Sequence, residues 1–277
     1  MRLLVMYRYN CIKLLRSPRT WVALCLAAAI GMGVSQDYYR FCVSSALPAN
    51  VLESFIIGAN YRLCGIFHPI NLCFMLSEAP FMDENAAYMI FRSGRRAWYL
   101  QGVLLVMTAC VAYYLFVLLS SCILMISISY APNIWSGPAI LLSDGRHGLT
   151  NGVNMPRGIL SAHSPLTATL SQLGLYIIYT LPLAMLYFAL TINMRRAYAF
   201  AIPVLLHALM MIVFMDGIYA MYSLFSYLFL SFWLGWSAPY KAYFICVCVC
   251  VALSALIIGV RGARRMDVHN LAILWLK

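Results

Sequence analysis

A few polar side chains stand where an apolar chain can ill accommodate them. His68 and Asn71 fall in one apolar run, His207 in another, and Asp216 near the end of that second run. Ionisable groups at membrane depth are costly and mark ion or proton pathways. A histidine and an aspartate so placed could relay protons. Few other acids lie deep in apolar sequence, however, and Asp216 can reach interfacial water, so satisfied polar contacts are the simpler expectation. The run CVCVC at 246–250 resembles a metal motif. A structural zinc needs four ligands, and no nearby His or Cys completes the set. Thiols in apolar runs, as at Cys25, Cys110, Cys122, Cys246, Cys248 and Cys250, behave as small hydrophobes. No metal site is expected. No H-E-x-x-H occurs, and no spacing pairs a nucleophile with a base.

The densest charge lies in FMDENAAYMIFRSGRRAWYL, residues 81–100. Asp83 and Glu84 open it, and Arg92, Arg95 and Arg96 close it. At about 100° per residue, Ala86, Ala87, Ile90, Phe91, Ala97 and Trp98 share one face. Asn85, Tyr88, Arg92, Arg95 and Arg96 share the other. Acids in the first turn and bases near the last complement a helix dipole. Pro80 and Gly94 mark the ends. Residues 81–97 therefore read as a short amphipathic helix on the inner membrane surface. Three arginines would suffice to hold a loop inside; the ordered helix with acids at its start suggests a docking partner.

The elements that must position these residues follow from composition. The chain is 64% hydrophobic and only 10% charged, against roughly 25% charged in a soluble domain. Apolar runs near the spanning length of about 20 residues recur throughout, so residues 1–277 read as one all-α membrane domain. Spans are expected at about 20–36, 59–79, 98–128, 168–193, 198–215 and 241–260. Pro182 is expected to kink the fourth. Residues 37–58 read as an outer loop with a short apolar helix, with Arg62 near the outer end of the second span. Residues 130–166 read as a Gly- and Pro-rich outer loop. The aromatic stretch 216–240 reads as interfacial or re-entrant. Residues 1–19 form a basic amphipathic helix of the interfacial kind. Leu4, Tyr7, Cys11, Leu14 and Leu15 lie on one face; Arg2, Arg8, Lys13, Arg16 and Arg19 lie on the other. A cleaved signal peptide is the rival reading, but the charged region is long and no small-residue cleavage site follows.

Six spans place fourteen of the nineteen Lys and Arg residues on one side. By the positive-inside rule that side is the cytoplasm, with both termini there. A seventh span within 216–240 would put RGARRMD outside and break the rule. The net charge of +11 thus marks orientation, and nucleic acid is not an expected partner. Cys42 and Cys64 both fall on the outer side, and a disulfide between them is left open.

This order of parts resembles the ABC-2 type permeases, the membrane-spanning subunits of ABC exporters. The residues that carry the resemblance are YNCIKLLRSPRTW, the R-x-G-R-R-x-W of the first cytoplasmic loop, and SPLTATLSQLGLYIIYTLPLAMLYFAL before an arginine pair. The resemblance covers nearly the whole chain. It implies that 1–19 is an elbow helix, carrying Arg8, Lys13, Arg16 and Arg19. It implies that 81–97 is a coupling helix, in which Asp83, Glu84, Tyr88, Arg92, Arg95 and Arg96 meet a separate ATP-binding subunit. A second permease chain, identical or related, would complete the pathway within membrane lipid. No G-x-x-x-x-G-K-[ST] stretch occurs, so ATP and Mg are expected on the partner, with no cofactor on this chain. The implied role is transport rather than catalysis: export of a hydrophobic or amphipathic solute, a peptide or a lipid-like molecule, across the cytoplasmic membrane. The alternative is an ion- or proton-coupled carrier or channel that uses His68, Asn71, His207 and Asp216. The family's outer loop before the last span is usually larger than 216–240.

Overall fold

A computed structural model describes residues 2–81, 90–145, 149, 155–217 and 219–265, without the side chains of residues 2 and 3. The fold is helical, with one short parallel pairing of β1 (Ala49–Asn50) with β2 (Ser129–Tyr130). In chain order the helices are α1 (Arg2–Arg16), α2 (Pro18–Ser45), α3 (Glu53–Ala59), α4 (Arg62–Met75), α5 (Arg95–Ile123), α6 (Gly137–Ser143), α7 (Arg157–Ala162), α8 (Pro165–Asn193), α9 (Arg196–Met215), α10 (Leu230–Gly235) and α11 (Ala238–Arg265). Five of them, α2, α5, α8, α9 and α11, are long and apolar enough to cross a membrane.

Helix α2 starts where Pro18 takes the first helical position, where its missing N–H costs nothing. It then runs past the expected boundary at residue 36, because no breaker intervenes before Pro48. Tyr38 and Cys42 on its added turns are buried, so packing extends the helix through Asp37 and Arg40. The short apolar helix expected within 37–58 is α3, and the second span expected at 59–79 is the shorter α4, which begins after Asn60–Tyr61. All of α3 is buried. Helix α4 has 14 residues, about 21 Å at 1.5 Å per residue, against a hydrocarbon core of about 30 Å.

Two sets of contacts define the ends of the bundle. At one end β1 meets β2, and Glu53 of α3 meets Ser136 ahead of α6. At the other, Arg19 meets Ser77 and Glu78, Arg196 meets the Glu78 and Pro80 carbonyls, and Arg95 meets the Arg264 carbonyl. The chain passes from the first end to the second through α3 and α4.

Helix α8 is the centre: 72% of its apolar window is buried, against 22% for both α9 and α11. Helix α11 packs along α8 and against α5 through small residues. Gly259 and Ala255 face Tyr99, whose hydroxyl donates to the Ala255 carbonyl at 3.0 Å. A Cβ at Gly259 would overlap the Tyr99 ring, and one at Gly102 would overlap Phe188. Close backbone approach of this kind drives helix association in lipid, where apolar burial alone gives little.

The aromatic stretch 216–240 is not a long helix. It folds as 3-10 turns at Ala220–Tyr222 and Leu224–Leu228, then α10. Residues 225–230 are buried. Irregular backbone at such a place must find polar partners within the protein. Gln172 of α8, itself fully buried, supplies them: its amide donates to the Leu228 carbonyl at 2.6 Å and accepts from Leu230 N at 3.0 Å.

Gly259→Val should cost about 1–3 kcal/mol through overpacking. Gly174→Ala, whose new methyl meets open space, should leave stability unchanged or raised. Thermal unfolding of the detergent-solubilised chain reads both, and a Gly259→Val protein as stable as the parent would refute this packing.

Candidate functional site

The interior polar residues singled out in the sequence are buried, and each is tied to a neighbouring helix. Asn71 donates to the Ala23 carbonyl of α2 at 2.8 Å and to the Tyr113 hydroxyl at 2.9 Å. Tyr113 O–H therefore turns its own proton to His68 Nδ1, 3.0 Å away. The second histidine follows the same logic. His207 Nε2 lies 3.1 Å from the Ile66 carbonyl, which can only accept, so Nε2 carries the proton. Nδ1 then accepts from the Tyr179 hydroxyl at 2.7 Å. Pro69 lies within α4 and has no N–H to return to the Gly65 carbonyl four residues before it; the next carbonyl, that of Ile66, takes a bond from α9.

Asp216 is exposed at the C-terminal end of α9, nine residues and about 13 Å of helix beyond His207. Both ring nitrogens of His207 are already engaged. The structure thus does not assemble a His207–Asp216 relay, and His68 is not joined to His207. A cavity of about 10 Å³, lined by Gly31, Cys64, His68, Tyr114 and Tyr176 among others, lies beside His68. That is close to the lower limit for one water.

Sequence reasoning missed Glu53, placed in an outer loop but fully buried. Its carboxyl accepts from four donors: Tyr38 O–H at 2.7 Å, Asn50 N at 3.0 Å, Ser136 Oγ at 2.6 Å and Ser136 N at 2.7 Å. One side chain so joins α2, β1, α3 and the start of α6. Burial, together with the nearby Glu53, pushes the Tyr130 hydroxyl above its ordinary range. The available signal was a lone acid heading the apolar run SFIIGA.

At the other end lies the basic surface. Helix α1 docks on α5 through Met6, Asn10 and Leu14, with Asn10 Nδ2 donating to Gln101 Oε1 at 2.8 Å. Of the expected elbow residues, Arg8 and Arg16 are exposed. Lys13 lies over the Tyr9 and Phe81 rings, and Arg19 pairs with Glu78 at 3.4 Å. The expected apolar face of α1 is divided. Leu14 is buried and Tyr7 and Cys11 are half-buried, whereas Leu4 and Leu15 are exposed.

Asp83, Glu84 and Tyr88 lie outside the described residues. Ile90–Ser93 is helical, and Gly94 at φ 87° turns the chain into α5. A left-handed φ favours glycine because it lacks Cβ. The turn resets the projection, so Ile90 and Trp98 are buried while Phe91 is 88% exposed. Arg92 and Arg96 are exposed as expected. Arg95 instead reaches across to cap the end of α11, donating to the Arg264 carbonyl at 2.7 Å.

All ten cysteines are free thiols; Cys42 and Cys64 are buried and share no disulfide, and Cys246 and Cys250 are exposed around buried Cys248. Among the described residues no group of three His, Cys, Asp or Glu could hold a metal. Compared with family models, curated proteins and solved structures, the chain matches none.

Glu53→Leu should destabilise the fold by about 3 kcal/mol, because it leaves buried N–H and O–H donors unpaired. Tyr38→Phe, which removes one of the four donors, should cost about 1 kcal/mol. Equal costs in chemical or thermal unfolding would refute the shared-acceptor role.

Proposed function

We propose that this chain is the membrane-spanning permease subunit of an ATP-driven ABC exporter, of the ABC-2 type. The observation that carries the proposal is the basic end of the bundle. There the exposed Phe91, Arg92 and Arg96 sit at the turn into α5, beside a clamped basic helix α1. An exposed aromatic flanked by arginines is the composition of a protein-binding anchor. The partner in this reading is a separate ATP-binding subunit, which carries ATP and Mg. It would seat on the 81–97 segment, and α1 would brace it as an elbow at the membrane surface. The sixth crossing falls to α3 and α4 together, since the chain runs between the two ends of the bundle through them.

Several features support this reading. The basic clusters at 8–19, 92–96, 195–196 and 261–265 are linked by contacts at one end, which suits a cytoplasmic face in a cytoplasmic membrane. Arg19, Glu78 and Arg196 tie α2, the turn before the proposed coupling segment, and α9 into one unit. A push at that segment would therefore reach two spans directly. The interior cavity beside His68 has room for about one water, which favours a pathway formed with a second permease chain. The far end is built of stacked rings, Tyr227 on Phe244 with Trp233 and Trp236 beside them. The solute in this reading is hydrophobic or amphipathic, in keeping with the aromatic-rich composition of 218–240.

Charge reversal at Arg92 and Arg96 should abolish ATP-dependent transport and retention of the ATPase while insertion stays intact, and reversal at Arg96 alone should leave the unfolding temperature unchanged. Reversal at Arg95 should also lower stability, because Arg95 caps α11. Purification from native membranes should yield an ATP-binding subunit with the chain. Gradient-driven flux from the purified chain alone, lost on His207→Phe, would replace this reading with a coupled carrier.

A further inference from the structure

Helices α9 and α11 both lie on α8 yet stand apart, leaving an open groove between them of about 390 Å³. This is within the roughly 300–1,000 Å³ of ordinary ligand pockets. Leu186 of α8 contributes to its floor, Leu206 of α9 one wall, and Cys246, Cys250 and Ser254 of α11 the other. The lining is almost wholly apolar, on the two spanning helices with the most exposed surface. Its lining residues lie near the middle of α9 and α11, both of spanning length.

The sequence of α11 continues this wall to the basic end. At about 100° per residue, Arg261 and Arg265 fall within about 30° of the mid-line of the groove face. Arg195, which precedes α9, stands at the same end of the opposite wall. All three arginines are exposed, and none pairs with a carboxylate among the described residues. Cys250 and Arg261 are about 16 Å apart along the helix, close to half of the roughly 30 Å core. The groove and its basic rim together span one leaflet.

We infer that this groove seats one acyl chain of an anionic phospholipid of the inner leaflet, with the phosphate held by Arg195, Arg261 and Arg265. Basic pockets between spans on the positive side are suited to anionic headgroups. Guanidinium groups bind phosphate in paired hydrogen bonds. A second copy of the chain is the poorer occupant. Two copies related by an axis along the membrane normal would set the same three arginines opposite one another at equal depth. In the exporter reading the second permease therefore packs elsewhere, but the lipid site stands or falls independently of that reading.

The test uses the full chain in detergent, with native mass spectrometry after adding phosphatidylglycerol or phosphatidylcholine. One phosphatidylglycerol should be retained at least tenfold better than phosphatidylcholine. Arg261→Gln with Arg265→Gln should remove that preference. Ser254→Trp, which fills the groove and leaves the charges intact, should reduce retention by a similar factor. Both variants change exposed side chains, so the unfolding temperature in lipid-free detergent should not move. Equal retention of the two lipids, or retention that survives Ser254→Trp, overturns the proposal. So does a covalent dimer that forms in membranes with a bis-maleimide and disappears with Cys250→Ala, because it would place a second copy in the groove.

Discussion

In a bilayer no water is available to satisfy polar groups in the core. The interior of this chain is organised around that constraint. Several of its buried polar side chains bond main-chain carbonyls of other elements: Asn71 to Ala23, Tyr176 to Ala59, His207 to Ile66, and Tyr99 to Ala255. Each bond satisfies a side chain and pins two elements at one register. Gln172 does the same for the irregular segment 224–230, bonding a carbonyl and an N–H on either side of Phe229. Glu53 gathers four donors from three parts of the chain. Removing Glu53 would leave all four of these donors without their acceptor.

The two ends of the bundle solve different problems. The end away from the basic residues closes on itself, with a short β pairing, a buried acid and stacked rings. The basic end keeps most of its charge outward. There Arg19, Arg95 and Arg196 are used to join helices, whereas Arg92, Arg96, Arg195, Arg261 and Arg265 are exposed. This division separates arginines that bridge helices from those whose side chains face outward. Neighbouring positions differ accordingly: Arg95 reaches α11, whereas Arg96 is exposed.

Small residues set how near the helices come. Gly259 and Ala255 admit the Tyr99 ring, and Gly102 admits Phe188. Helix α11 is thereby drawn onto α8 and α5 and away from α9. The groove between α9 and α11 is the consequence: close packing on one side leaves space on the other.

The sequence by itself determined that this is a helical membrane protein, because 64% apolar composition in runs of spanning length leaves no other way to satisfy the backbone in lipid. It also located the long helices α5, α8, α9 and α11 to within a few residues, since apolar runs ended by Gly, Pro or arginine pairs are local signals. The exposure of Arg92 and Arg96 was legible for the same reason. What only the tertiary structure decided depends on contacts between distant residues. The extension of α2 through Tyr38, the shortness of α4 and the burial of 225–230 against Gln172 have no local signature. Glu53 read as a loop acid because its four donors come from positions 38, 50 and 136, and Arg95 read like its neighbours because its acceptor lies at 264. Helical periodicity assigns a face, but the packing of other helices decides whether that face meets protein or lipid.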